Sequence, residues 1–332
     1  MNLDYQTLTA RINALTAADF EATALAVFQY QYQNNALYQQ FVDLLRISPN
    51  SVTSLDAIPF LPIQFFKQHQ IQTEAWAAEQ VFMSSGTSQQ VTSKHLIRDL
   101  AWYQQHAFEA FEAVYGALQD YVVLALLPSY LERQGSSLVF MVEQFIQRSQ
   151  QKDSGFFLYD TQALLHTIQS CAKREQPVLL LGVTYALLDL AETYPQALEH
   201  TIVMETGGMK GKRAEQTKQA VHEQLKAAFQ LPAIHSEYGM TELLSQAYST
   251  GHGVFRPSRL MEVLVRETTD PLSYVADGRI GGLNIIDLAN VATCSFIATD
   301  DLGRRYADGT FEVLGRFDAS DLRGCNLLVA ES

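Results

Sequence analysis

Apolar residues change their spacing twice along the chain. Up to about residue 75 they recur loosely at helical intervals, as in Leu25, Phe28, Tyr32, Leu37, Phe41, Leu44 and Leu45. Asp19 stands where such a helix would be capped, and Pro49 lies just past its end. The segment Ile58-Pro59-Phe60-Leu61-Pro62-Ile63 cannot be helical, because two prolines three apart remove donors and fix the backbone. It is expected to be extended and to pack across the main domain.

From about residue 80, short apolar runs alternate with amphipathic stretches. Strands are expected at 121–127, 156–159, 178–181 and 201–205. Helices are expected at 136–148, 185–194 and 213–229, with a further helix capped by Thr161. This alternation implies an α/β domain with a largely parallel sheet. After about residue 255 the helical pattern stops. Strands at 261–266, 282–286, 293–299 and 310–314 are separated by glycine and aspartate turns, which suggests a β-rich layer or small barrel. Three units follow: 1–75 helical, 76–255 an α/β core, and 256–332 a β-rich subdomain. No repeat or low-complexity segment interrupts them.

Composition narrows the function. The 332 residues are 47% hydrophobic and 18% charged, as expected of a folded globular protein. A net charge of -13 argues against a nucleic-acid surface. Three widely spaced cysteines, Cys171, Cys294 and Cys325, form neither a disulfide framework nor a Cys-x-x-Cys zinc site. The N-terminus lacks the basic start and apolar run of a signal peptide, and no apolar run approaches the roughly 20 residues that span a bilayer. A cytoplasmic location is the simplest expectation.

Four segments carry candidate chemistry. In the first, a short apolar strand runs into Ser84, Ser85, Gly86, Thr87 and Ser88, with Lys94 shortly after. Small hydroxyl residues and a glycine allow backbone N–H groups and hydroxyls to converge on phosphate oxygens, and a lysine adds positive charge. A polar turn without a ligand accounts for the same residues. In the second, Thr206-Gly207-Gly208-Met209-Lys210-Gly211 joins a strand to a helix, where glycines permit close approach of a ring or phosphate. The third is Glu237-Tyr238-Gly239-Met240-Thr241-Glu242: an aromatic face for a base, a hydroxyl for a phosphate and a carboxylate for Mg2+. A helix N-terminus is its plainer explanation. The fourth is Thr299-Asp300-Asp301-Leu302-Gly303-Arg304, expected as a turn after a strand, together with Gly315-Arg316-Phe317-Asp318. A carboxylate there can accept from ribose hydroxyls, although a hairpin turn explains either piece alone.

In order and spacing, the four segments together resemble the adenylate-forming superfamily of acyl-CoA synthetases, luciferases and peptide-synthetase adenylation domains. The resemblance spans roughly residues 80–328 and is most specific at Tyr238-Gly239-Met240-Thr241-Glu242. It implies the large N-terminal domain of that fold, with layered α/β sheets and a β-rich subdomain. It also implies ATP and Mg2+ as cofactors. The loop Ser84–Ser88 and Lys94 would hold phosphates, Gly207, Gly208 and Tyr238 the adenine, Thr241 the α-phosphate and Glu242 the Mg2+, with Gly239 part of the same ATP-binding motif. Asp301 and Arg316 would hold the ribose. Asp300 departs from the family's glycine at that position.

The sequence ends at Ser332, soon after the hinge-like Gly315-Arg316-Phe317-Asp318, without the family's C-terminal domain of about a hundred residues. This resembles a shorter branch, the acyl-protein synthetases of the bacterial bioluminescence fatty-acid reductase complex (LuxE type). Ile58 to Lys67 is similar to their N-terminal signature, and Cys325 matches the cysteine that accepts the acyl group. The implied partners are a carboxylic acid, fatty in that branch, and an acyl reductase or carrier protein. The adjacent Arg323 would favour a thiolate, and covalent capture would split activation from delivery. A small residue in a terminal turn is the plainer account of Cys325, and core packing that of Cys171 and Cys294. Delivery to CoA, an amine or a carrier, or a non-catalytic nucleotide-binding subunit, are the alternative readings. His235 could line an acyl pocket or sit satisfied in the core.

Overall fold

In the computed structural model, residues 3–84, 92–127, 135–158, 160–207 and 216–317 are described. Their helices are α1 (Tyr5–Asn13), α2 (Phe20–Asn34), α3 (Ala36–Leu44), α4 (Phe65–Gln68), α5 (Leu100–Tyr115), α6 (Ser137–Ser149), α7 (Thr161–Ala172), α8 (Thr184–Thr193) and α9 (Lys218–Phe229). The strands of the first half are β1 (Leu61–Pro62), β2 (Gln80–Met83), β3 (Lys94–Ile97), β4 (Val122–Leu126), β5 (Gly155–Phe156), β6 (Val178–Val183) and β7 (Thr201–Thr206). Those of the second half are β8 (His235–Tyr238), β9 (Ala247–Ser249), β10 (Val254–Pro257), β11 (Met261–Arg266), β12 (Gly281–Asp287), β13 (Phe296–Arg305) and β14 (Phe311–Arg316).

The continuous apolar runs of β4 and β6 are buried at every position. That is the pattern of a parallel sheet covered on both faces, and β5, β4, β6, β7 and β8 do run parallel. Helices α8 and α9 cover one face through Leu187 and Lys218. Helix α5 covers the other, with Phe111 and Tyr115 meeting Tyr248 edge-to-face at 5.8 and 5.6 Å. Strand β10 joins this sheet to the antiparallel β11–β14 group. Its first residues pair with β14 and its last with β9.

The helical N-terminus packs on the far end. Gln31 donates to the Asn290 and Val291 carbonyls at 3.1 Å and accepts from Ser295 N. Phe28 and Tyr38 pack on Phe296. The proline-rich segment is extended, as its composition requires, and β1 pairs parallel with β13 at Ile297 and Ala298.

Several expected boundaries move. The helix after Asp19 is two helices, because Asn35 leaves helical geometry and its side chain accepts from Tyr38 N at 3.0 Å, capping α3. Asp160, not Thr161, caps α7, since an Asp carboxylate there accepts from Ala163 N at 2.9 Å. The helix expected at 213–229 starts at Lys218, where Thr217 caps it. The strand expected at 293–299 begins at Phe296 and continues to Arg305, with a register shift at Leu302/Gly303. Thr299 to Arg304 is therefore strand, not turn, and Gly315 and Arg316 lie inside β14. The turn is tighter and later, closed by Gly309 N donating to the Tyr306 carbonyl at 2.9 Å.

Candidate active site

Ligands of open α/β sheets collect at the carboxyl ends of the parallel strands. At that edge Thr206 of β7 lies opposite Glu237 of β8, which brings Gly207 beside Tyr238. Apart from its chain neighbours, a Cβ on Gly207 would meet no atom of the described residues within 4 Å. Tyr238 ends β8 and is followed by a turn through Thr241 and Glu242. The helix N-terminus offered as the plainer account of this motif is not formed.

Three residues far apart in sequence converge here. The Tyr238 hydroxyl donates to Asp301 Oδ2 at 2.8 Å, and Arg316 Nε donates to Asp301 Oδ1 at 3.1 Å. The last contact follows from register, since Asp301 and Arg316 face each other across β13 and β14. Asp301 N donates to Thr299 Oγ1 at 3.2 Å, fixing the backbone beneath the carboxylate. Burial and the Asp301 charge push the Tyr238 phenol well above its usual range, so it remains a donor. Charge-assisted bonds of this kind are stronger than neutral ones. Asp301 is buried while Arg316 is exposed, so the pair presents its guanidinium outward.

The Thr241–Glu242 turn is held from below by buried polar groups. His95 Nδ1 bonds to the Thr241 carbonyl at 2.7 Å, and its Nε2 to Thr293 Oγ1 at 3.0 Å. Since a carbonyl only accepts, Nδ1 carries the proton and Nε2 accepts from Thr293. Burial depresses the imidazole to about 4, so it is neutral near pH 7. Asn290 Nδ2 donates to the Glu242 carbonyl at 2.8 Å. Buried Asp287 accepts from Leu244 N at 2.8 Å, Ser245 N at 3.0 Å, Ser245 Oγ at 2.6 Å and Ala289 N at 3.1 Å. None of His95, Asn290 and Asp287 is marked by the sequence motifs. Their only signal is that polar residues occupy otherwise apolar stretches.

Burial raises the Glu242 carboxyl, and the neighbouring Ser93 hydroxyl, then the charges of Arg316 and Lys67, offset this in part. Glu242 forms no ion pair among the described residues, so a cation beside it would relieve a buried charge. No cluster of three or more His, Cys, Asp or Glu that could hold a metal occurs among those residues. One carboxylate with phosphate oxygens and waters is, however, the usual Mg2+ arrangement, and the site fits it.

Lys94 and His95 sit on β3, which pairs with β2 so that Met83 faces Lys94. The base of the intervening loop is closed by Ser84 N donating to the Ser93 carbonyl at 3.1 Å, and by Ser93 N donating to Ser84 Oγ at 2.9 Å. The Ser84 hydroxyl thus has a structural bond. Lys94 is exposed, and its neighbour His95 turns inward to the Thr241 turn, which sets the loop's root against the motif. Ser85, Gly86, Thr87, Ser88, Gly208 and Cys325 lie outside the described residues. Gln64, in the proline-rich segment, donates to Asp300, an arrangement the sequence did not suggest. Cys171 and Cys294 are fully buried, and burial pushes the Cys294 thiol up to about 12, as core residues require. His235 is half-buried and bonds Tyr115 at 3.1 Å.

No family model and no curated protein matches this sequence. Solved structures do. ATP-bound MatB from Rhodopseudomonas palustris is 14% identical with a TM-score of 0.54, covering 73% of this chain and 49% of that one. The chain thus spans about half the length of MatB. An open conformation of 2-hydroxyisobutyryl-CoA ligase in complex with 2-HIB-AMP and CoA is 13% identical with a TM-score of 0.66, covering 93% and 78%. The thioesterification-state structure of that ligase gives 0.65 over 93% and 71%. Over 93% of its length the chain has the α/β fold of the 2-hydroxyisobutyryl-CoA ligase. No helix among the described residues is long and apolar enough to cross a membrane.

Proposed function

We propose that this chain activates a carboxylic acid with ATP, forming an acyl-adenylate and pyrophosphate. The observation that carries the proposal is the meeting of Tyr238, Asp301 and Arg316 beside the Thr241–Glu242 turn, in a fold whose other examples bind ATP, an acyl-AMP and CoA.

In the proposed reaction a carboxylate oxygen of the acid attacks the α-phosphorus. That O–P bond forms, the bridging bond to the β-phosphate breaks, and pyrophosphate leaves with its electron pair. Asp301 accepts from ribose hydroxyls, with Arg316 alongside. Tyr238 offers its ring to the adenine while its hydroxyl fixes Asp301, and Gly207 and Gly208 leave room for the base, with Gly239 part of the same ATP-binding motif. The Thr241 hydroxyl, pre-oriented by the His95 bond to its own carbonyl, meets the α-phosphate. Ser84, Ser85, Gly86, Thr87, Ser88 and Lys94 take the leaving phosphates. Neutralising phosphate charge is what Mg2+ supplies when bound, and Glu242 would hold it. Positioning and charge neutralisation carry most of the rate in such chemistry.

For the second half, the Cys325 thiolate attacks the acyl carbon. The C–S bond forms, the C–O bond to AMP breaks, and AMP leaves. A reductase or carrier protein then receives the acyl group in the cytoplasm, and a fatty acid is the substrate this acyl-protein synthetase reading implies. A second reading, delivery to CoA, is favoured by the CoA complex of the similar ligase. Acid-dependent exchange of pyrophosphate into ATP tests the first step. Hydroxylamine-sensitive acyl label on the wild type, absent from Cys325→Ser, tests the second. Label retained by Cys325→Ser rules out Cys325, and thioester formed on CoA alone supports the second reading.

A further inference from the structure

On the sheet face opposite Ser236 and Tyr238, three polar side chains lie close together with bonding capacity unused, although Gln246 Nε2 does donate to the Leu244 carbonyl at 3.3 Å. Glu237 of β8 lies directly across from Tyr248 of β9, and Gln246 precedes Tyr248 by two residues on the same face. The Tyr248 ring packs edge-on against the stacked Phe111 and Tyr115 rings, yet among the described residues its hydroxyl has no hydrogen-bond partner, and neither has Gln246 Oε1. Glu237 is 8% exposed and makes no hydrogen bond among the described residues. Its neighbour on β7 shows what a structural glutamate in this sheet looks like. Glu205, facing the other way, is bonded by Lys218 at 2.5 Å and Thr184 at 3.0 Å, with His222 at 3.5 Å.

Buried polar groups are nearly always paired, so a cluster left open asks for a missing partner. The opening lies at Gly239. A Cβ there would sit 2.3 Å from Glu237 Oε1 and 3.6 Å from Gln246 Cγ, and Gly239 is itself exposed. The absent side chain therefore leaves the carboxyl edge reachable from the Tyr238–Glu242 motif.

We propose that Glu237, Gln246 and Tyr248 form a specificity site for an O–H or N–H donor carried by the acid, so that the preferred substrate is a hydroxy- or amino-substituted acid. This rests on the adenylation reading. Gln246 Oε1 only accepts, whereas the phenol and the carboxyl can each donate or accept, so a hydroxyl or amine on the acid can satisfy the set where a hydrocarbon cannot. Burial, reinforced by the Glu205 charge, pushes the Glu237 carboxyl up to about 8. A ligand ammonium would favour the charged carboxylate, and a hydroxyl the neutral acid. A site built around hydrogen bonds rejects the analogue that lacks them far more strongly than an apolar pocket does.

The test uses the full chain with acids of one chain length: unsubstituted, hydroxy-substituted and amino-substituted. Pyrophosphate exchange gives kcat/KM for each, and thermal shift reads binding without turnover. The wild type is expected to prefer one substituted acid by about a hundredfold or more. Glu237→Leu should bring that ratio close to one, and Glu237→Gln should keep part of it. Both variants should melt higher than the wild type, because an unpartnered buried carboxyl has gone. Equal efficiency and equal thermal shift for all three acids in the wild type overturn the proposal, as does an unchanged ratio in Glu237→Leu. If no acid supports exchange, the adenylation reading fails, and the thermal shifts still decide the substituent site.

Discussion

Replacing His95 probes how the Thr241–Glu242 turn is held. The imidazole is fully buried, bonded to the Thr241 carbonyl and to Thr293 Oγ1, and edge-on to Phe66 with centroids 5.5 Å apart. His95→Ala removes two hydrogen bonds of about 1 kcal/mol each, leaves two buried polar atoms unpaired and opens a cavity, for a total of about 3–5 kcal/mol. His95→Asn offers an amide N–H near the Nδ1 position. It should restore the bond to Thr241 but not the one to Thr293, recovering most of the exchange kcat and part of the stability. The wild type should also weaken in acid. The folded imidazole titrates at about 4 instead of its ordinary 6.5, so the unfolded chain binds the proton first. Stability is therefore full above about pH 6.5 and falls as pH drops towards 4, by about 3 kcal/mol in all and about 2 by pH 5. Urea unfolding at about pH 7.5 and 5, with exchange kinetics at neutral pH, reads both effects. His95→Asn should lack this part of the acid loss. An alanine variant as stable and active as wild type, or an asparagine variant no better than alanine, refutes the role assigned to His95.

Asp301→Asn should raise the ATP KM by about tenfold to a hundredfold through loss of charge-assisted bonds, measured by exchange at saturating acid. An unchanged KM would remove Asp301 from the nucleotide site. Tyr238→Phe should cost about 1–2 kcal/mol in unfolding free energy by stranding one Asp301 oxygen. Asp287→Ala leaves four donors unpaired in the core and should cost about 3–5 kcal/mol, seen as a lowered urea midpoint. Glu237 carries the opposite pH sign to His95. Its folded value is raised from 4.5 to about 8 by burial and by the Glu205 charge, which Lys218 opposes. Tyr103 and Tyr248, whose phenols burial raises, stay neutral beside it. Stability present below about pH 4.5 is thus lost as pH rises towards 8, and the advantage of Glu237→Gln over wild type should widen across that window.

The central strands were legible because a doubly covered parallel sheet needs unbroken apolar runs, and 121–127 and 178–181 supply them. The convergence of Tyr238, Asp301 and Arg316 was legible only as a set of motifs in order. The edges were not. Asp300, Asp301 and Gly303 are poor strand formers, so local preference predicts a turn where β13 continues, and pairing on both sides by β12 and β14 overrides it. Asn35 breaks a helix through its side chain, which a hydrophobic period does not register. His95 directly follows Lys94, and nothing local marks a histidine whose partners are 146 and 198 residues away. The open group at Glu237 was invisible for the same reason. Its meaning lies in absent partners, and these are properties of packing.

The central claim is acyl-adenylate formation, and exchange of labelled pyrophosphate into ATP measures it most directly. With Mg2+ and a suitable acid, label should enter ATP only when the acid is present and should fall sharply in Asp301→Asn. No acid-dependent exchange with any acid, with or without a thiol acceptor or partner protein, from protein that is folded and binds ATP would contradict it.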